Sequence, residues 1–161
     1  MAFWENLSIR RKVDPDELIT LFKDNYGSNE ASLKYSHYDM LRRLMQHGLK
    51  NTFSLMFGAY LPNDTLCAGV FLLRDGDRFI YHFAASDKNA RENGAMFLLV
   101  DLFIKEHAGK PLTLDFEGSS DTNVARFYKG FGASETLFSE VLINRLPGAV
   151  SRMVYLMKKL R

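Results

Sequence analysis

Ser86-Asp87-Lys88-Asn89-Ala90-Arg91-Glu92-Asn93-Gly94-Ala95 and Arg126-Phe127-Tyr128-Lys129-Gly130-Phe131-Gly132-Ala133 lie within one segment, Phe79 to Ala133. It reads in order as a strand, a Gly-containing turn, a long helix, a second strand and a Tyr-bearing helix. A turn of small and polar residues between a strand and a helix leaves backbone N–H groups free, and with the positive helix end these hold phosphate oxygens. Ala90 to Ala95 supplies such a turn. Gly94 permits close backbone approach, and Arg91 and Lys88 add charge-assisted bonds to a pyrophosphate or ribose phosphate. The bland alternative is a polar loop that Asn93 and Gly94 merely shape. Tyr128 points either into the core or toward the crevice between the two parallel strands. A phenol, with an ordinary pKa of about 10, suits protonation of a leaving thiolate. The segment suggests a phosphate-bearing acyl carrier beside a proton donor.

Working outward, Asp75-Gly76 is a strong hairpin signal, since both residues tolerate positive φ. It joins strands over Leu66 to Arg74 and Arg78 to Ala85, and a third, Phe53 to Leu61, precedes them across Pro62-Asn63-Asp64 to complete an antiparallel meander. The helix from Glu92 to Ala108 packs through Met96, Leu99, Val100, Phe103 and Ile104 and closes at Gly109-Lys110-Pro111. It connects to a short strand, Leu112 to Phe116, by a crossover that favours parallel pairing, so the sheet is mixed. A helix over Asp121 to Phe131 and a strand over Glu135 to Asn144 follow. Upstream, Leu7 to Lys12 reads as a strand. Asp14-Pro15 opens a helix to about Tyr26 stopped by Gly27, and Tyr38 to His47 forms another stopped by Gly48. Residues 147–161 read as a C-terminal amphipathic helix whose Lys/Arg end faces water, the alternative being contact with an anionic membrane surface.

The length of 161 residues fits one domain, residues 1–161, with a single α/β core. A hydrophobic fraction of 47% with 25% charged residues excludes disorder over most of the chain. Basic residues exceed acidic ones by only two, so any anion site is local. Cys67 is the only cysteine, which excludes an internal disulfide and a thiolate zinc cluster. Among Leu66, Ala68 and Val70 it reads as a buried strand thiol. No carboxylate and His cluster has metal-ligand spacing, so no metal is expected. Met1 to Asn6 lacks a signal-peptide layout and no apolar run reaches spanning length, which points to a cytoplasmic protein.

In order and spacing the chain resembles the GNAT superfamily of N-acetyltransferases. In that superfamily a turn after the fourth strand, Q/R-x-x-G-x-G/A, grips the pyrophosphate of acetyl-CoA, and a late helix ends Y-x-x-hydrophobic-G. Arg91-Glu92-Asn93-Gly94-Ala95-Met96 matches the Arg and the first Gly, with Met96 in place of the last small residue. Tyr128-Lys129-Gly130-Phe131-Gly132 matches the second motif, while Asp121 replaces the Asn often found seven residues before that Tyr. More narrowly, Leu114 to Ser119, Val124 to Ala133 and Asn144-Arg145-Leu146-Pro147 resemble the C-terminal half of bacterial FemAB-like acyltransferases, a likeness covering about Phe53 to Pro147. Those proteins often carry two copies of the fold, so this chain is either a stand-alone version or one half.

The resemblance implies a GNAT acyltransferase fold and acetyl transfer from acetyl-CoA to a primary amine of a small molecule or peptide. Backbone groups of Phe83, Ala84, Ala85 and Ser86 would pair with the pantetheine arm. Lys88, Asn89, Ala90, Arg91, Glu92, Asn93, Gly94 and Ala95, with Arg126 and Lys129, would form the donor site. Tyr128 would protonate the thiolate. Glu117, at the carboxyl end of its strand, and His82, a titratable ring in mid-strand, are the candidate bases. Each has a bland alternative, a solvated strand end for Glu117 and a packed core ring for His82. Aminoacyl transfer from tRNA to a cell-wall precursor and a catalytically silent binding module are the rival readings. A homodimer, or a further half of the protein, is expected to cover the sheet edge, since no convincing last strand follows Asn144.

Overall fold

The computed structural model describes residues 6–27, 33–119, 121–136, 152–153 and 156–157. Five strands, β1 (Ser8–Arg10), β2 (Ser54–Tyr60), β3 (Leu66–Asp75), β4 (Arg78–Ser86) and β5 (Thr113–Asp115), form one sheet in the order β1-β2-β3-β4-β5. Neighbours are antiparallel except β4 and β5, which are parallel. The fold is therefore mixed α/β, with the meander and the parallel crossover that the turn signals and the connecting helix predict. The strand expected over 135–144 lies outside the described residues beyond its first two positions. Of the helix expected over 147–161, residues 152–153 and 156–157 are helical and the others are likewise outside them.

Helices cover both faces. On one, α1 (Pro15–Phe22) and α2 (Tyr35–Lys50) bury Leu18, Ile19 and Met45 against Met56 and Phe71. On the other, α4 (Ala95–His107) lays Leu99 and Phe103 on Val70, Leu72 and Phe79. Strand β3 is covered from both sides, so Leu66 to Leu72 is a continuous buried apolar run rather than an alternating one. Cys67 is fully buried within it, its thiol donating to the Ala59 carbonyl at 3.3 Å, and burial pushes its pKa up to about 11. It is an inert packing residue.

Three helix boundaries differ from the sequence-based expectation. The first helix leaves α geometry at Phe22 and continues as a π-helical turn, Lys23–Gly27, in which the Asn25 amide donates to the Leu21 carbonyl at 2.9 Å. Helix α2 runs past Gly48, which is not a stop. A Cβ on Gly48 would lie 2.6 Å from the Ser54 Oγ, so this glycine lets the start of β2 pack against the helix. The single helix expected over 92–108 is two. Helix α3 (Lys88–Asn93) is capped by Asp87, which accepts from the Ala90 amide at 2.7 Å, and is closed by Gly94 at φ 72°, from which α4 then starts.

The Ser54 hydroxyl is buried and has no hydrogen-bond partner among the described residues. Such a group is a net loss on folding, so Ser54→Ala should stabilise the protein by about 1 kcal/mol, seen as a higher urea midpoint at an unchanged slope. A lower midpoint would mean the hydroxyl is satisfied in solution.

Candidate active site

Strands β4 and β5 pair only through Arg78 with Thr113, Phe79 with Leu114 and Ile80 with Asp115. Beyond that point they separate. Strand β5 ends at Asp115, ahead of the left-handed Glu117 and Gly118, and just past the last pair β4 is irregular against β3: Leu72 faces Tyr81 and Phe71 faces Phe83, leaving His82 as an extra residue without a partner on β3. Such a bulge bends its strand and re-aims a side chain. The separation opens a cleft of about 540 Å³, walled by β4 from Tyr81 to Ser86 on one side and by Asn123, Val124, Phe127 and Tyr128 of α5 (Thr122–Lys129) on the other.

At the vertex, Tyr128 stacks on Phe116 with ring centroids 4.4 Å apart and meets Tyr81 edge-on at 5.9 Å. Burial, and secondarily the Glu117 charge, raises the Tyr128 pKa above its ordinary value. The Tyr81 hydroxyl donates to the Met96 sulfur at 3.2 Å, and burial moves its pKa upward as well. Across the vertex His82 Nδ1 lies 3.6 Å from Glu117 Oε2, and the His82 ring sits edge-on to Phe71 at 6.2 Å. Glu117 has φ 56°, a left-handed conformation uncommon for a residue with a side chain. Its amide donates to Asp115 Oδ1 at 2.8 Å, and Asp115 also pairs with Arg78. Asp115 is thus engaged at the strand end, while the Glu117 carboxylate reaches the imidazole.

The far end of the cleft is set by α3 and α4. Of the residues expected to hold a donor, Phe83, Ala84, Ala85, Ser86, Ala90 and Arg91 line the cleft. The remainder of the turn serves the helix junction. Lys88 pairs with Glu92 at 3.7 Å, Asn89 bonds Asp87 at 3.1 Å, Asn93 accepts from the Ala95 amide at 3.0 Å, and Ala95 is buried. The loop of free amides expected over Ala90 to Ala95 is therefore mostly helical, and the open N–H groups move to Met96 and Phe97 in the first turn of α4. Arg126 is exposed, and Lys129 pairs with Glu135 at 2.6 Å.

Sequence reasoning missed several walls of the cleft. Asn123, Val124 and Phe127 share one face of α5 with Tyr128 by their three- and four-residue spacing, a signal that was present. Tyr26, by contrast, reaches the site only through tertiary structure: its hydroxyl lies 3.1 Å from Ser86 Oγ and accepts from Arg91 at 3.2 Å. Among the described residues no group of three or more His, Cys, Asp or Glu side chains is placed to hold a metal ion. None of the described helices is long and apolar enough to cross a membrane.

Solved structures share this architecture. A predicted acetyltransferase from Clostridium acetobutylicum, crystallised with acetyl-CoA, superposes with a TM-score of 0.68 at 15% identity, over 85% of this chain and 96% of that one. A GNAT-family acetyltransferase from Staphylococcus aureus gives 0.59 at 16% identity, over 78% and 81%. A ribosomal-protein-alanine N-acetyltransferase from Brucella melitensis biovar Abortus gives 0.57 at 14%, over 86% and 98%. No curated protein matches the sequence. The family model described as an acetyltransferase (GNAT) domain matches residues 7–129, from β1 to the end of α5, and so includes both walls of the cleft. The chain belongs to the GNAT acetyltransferase domain family.

Proposed function

We propose that the protein transfers an acetyl group from acetyl-CoA to a primary amine by direct attack. The observation that carries this reading is the cleft between β4 and β5, with a half-buried phenol on one wall and an imidazole–carboxylate pair across its vertex. Acetyl-CoA supplies an activated acyl group and a thiolate leaving group. Beyond Ile80, β4 presents to the cleft an edge that β5 does not pair, and Phe83 to Ser86 can hydrogen-bond an extended pantetheine arm as an added strand. Arg91 and the amides of Met96 and Phe97 face the pyrophosphate. His82, with Glu117 beside it, takes a proton from the amine as the C–N bond forms. Tyr128 gives its proton to sulfur as the C–S bond breaks.

Titration calorimetry with acetyl-CoA tests the reading. The wild type should bind with micromolar affinity, and Arg91→Ala combined with Gly94→Glu should weaken binding by more than about tenfold, since one loses a cation and the other sets a carboxylate against phosphate. Absence of binding would refute the donor. A FemAB-like transfer from aminoacyl-tRNA asks for a basic face around Lys88, Arg91, Arg126 and Lys129. Lys88 and Lys129 are paired with carboxylates, so that face offers less free positive charge than its composition suggests. A salt-dependent affinity for tRNA in the same titration would reverse this preference.

A further inference from the structure

Resting on the reading of the cleft as a donor site, we infer that Tyr26 is a positioning residue for the nucleotide end of the donor, holding Arg91 over the cleft mouth from the opposite side of the sheet. Arg91 lies on α3, and among the described residues its guanidinium has no carboxylate partner. Its hydrogen bond goes to the Tyr26 hydroxyl at 3.2 Å, with the guanidinium carbon 5.9 Å from the centre of the same ring. That hydroxyl also shares a hydrogen bond with Ser86 Oγ at 3.1 Å, and Ser86 is buried at the end of β4. One phenol therefore links the π turn after α1, the last residue of β4 and α3.

The ring itself is fixed. Tyr26 stacks on Phe22 with centroids 5.6 Å apart, and Phe22 packs on Phe83 of β4 at 5.0 Å. The π-helical turn adds a residue to the helix path and so changes the direction in which Tyr26 leaves it, a distortion often met at functional sites. A guanidinium carries five N–H donors in a rigid fork. With one held by Tyr26, the fork is oriented in advance and its other donors remain for a ligand. An oriented cation without a carboxylate, at the end of the cleft away from Tyr128, suits a diphosphate. It does nothing for the pantetheine arm, which would lie along β4. The device therefore selects acyl donors that carry a nucleotide diphosphate over bare acyl-pantetheine.

Tyr26→Phe keeps the stack on Phe22 and removes only the hydroxyl. Calorimetric titration with CoA and with pantetheine reads the effect. CoA affinity should fall about tenfold while pantetheine affinity stays the same, and the Tyr26→Phe change should have no further effect in an Arg91→Ala background. Ser86→Ala, which removes the second anchor of the phenol, should weaken CoA in the same direction by about threefold and serves if Tyr26→Phe folds poorly. Equal losses for CoA and pantetheine, or additive losses with Arg91→Ala, would overturn the positioning role. So would CoA binding unchanged in both variants. Failure of the wild type to bind CoA overturns the donor site itself, a result separable from an indifferent Tyr26.

Discussion

Tyr128→Phe is expected to lower kcat by roughly two to three orders of magnitude, the range general acid catalysis contributes, while leaving acetyl-CoA affinity within about twofold. The ring would remain stacked on Phe116 and edge-on to Tyr81, so the cleft wall keeps its shape and only the proton is lost. The pH dependence follows from the direction of the shift. Burial and the Glu117 charge disfavour the phenolate, so the acid form persists to higher pH than for a free tyrosine. A proton donor must be protonated, so the alkaline fall of the wild-type kcat should come only above the usual phenol titration, near pH 10. That alkaline fall should be missing in the variant. Unchanged turnover would remove Tyr128 from the chemistry. If turnover is undetectable in the wild type while CoA still binds, the silent-module reading gains.

Much of the frame was legible because its signals are local. The hairpin forms where Asp75-Gly76 signals it, although its two turn residues are Gly76, at φ 57°, and Asp77, with Asp75 still paired to Arg78 in the ladder, and the apolar stripe of α4 packs on the sheet as its spacing requires. The parallel pairing of β4 and β5 follows from the connecting helix, and Tyr128 lies on the wall of the crevice rather than in the core proper. The failures are long-range or backbone effects. No composition marks His82 as a bulge, since the extra residue is defined only against the β3 register. Gly48 read as a helix stop, whereas its absent side chain answers to Ser54 on another element. Gly94 reads from sequence as part of an open turn. Asp87 and Asn93 instead cap a short helix on one side and bind the first amide of α4 on the other. Tyr26 stands 60 residues from Ser86 and 65 from Arg91, a separation no local pattern bridges.

The bulge at His82 leads to the second large effect. A residue with no partner on β3 adds nothing to the β3–β4 register, and both His82 and Glu117 are well exposed, so replacing either should cost little stability. Their contact spans the gap where β4 and β5 part, the point an amine would have to reach in the proposed transfer. With Nδ1 turned to the Glu117 carboxylate, Nε2 is the nitrogen left to face an amine. His82→Ala should therefore lower kcat/KM by about a hundredfold, and Glu117→Gln by about tenfold. If Glu117 acts through His82, as proposed, the double variant should be no worse than His82→Ala alone. The reverse ranking, a large loss in Glu117→Gln and a small one in His82→Ala, would make the carboxylate the base. The left-handed backbone at Glu117 would then serve to aim it at the amine directly. Thermal midpoints within a few degrees of wild type for all three variants separate either outcome from a collapse of the vertex.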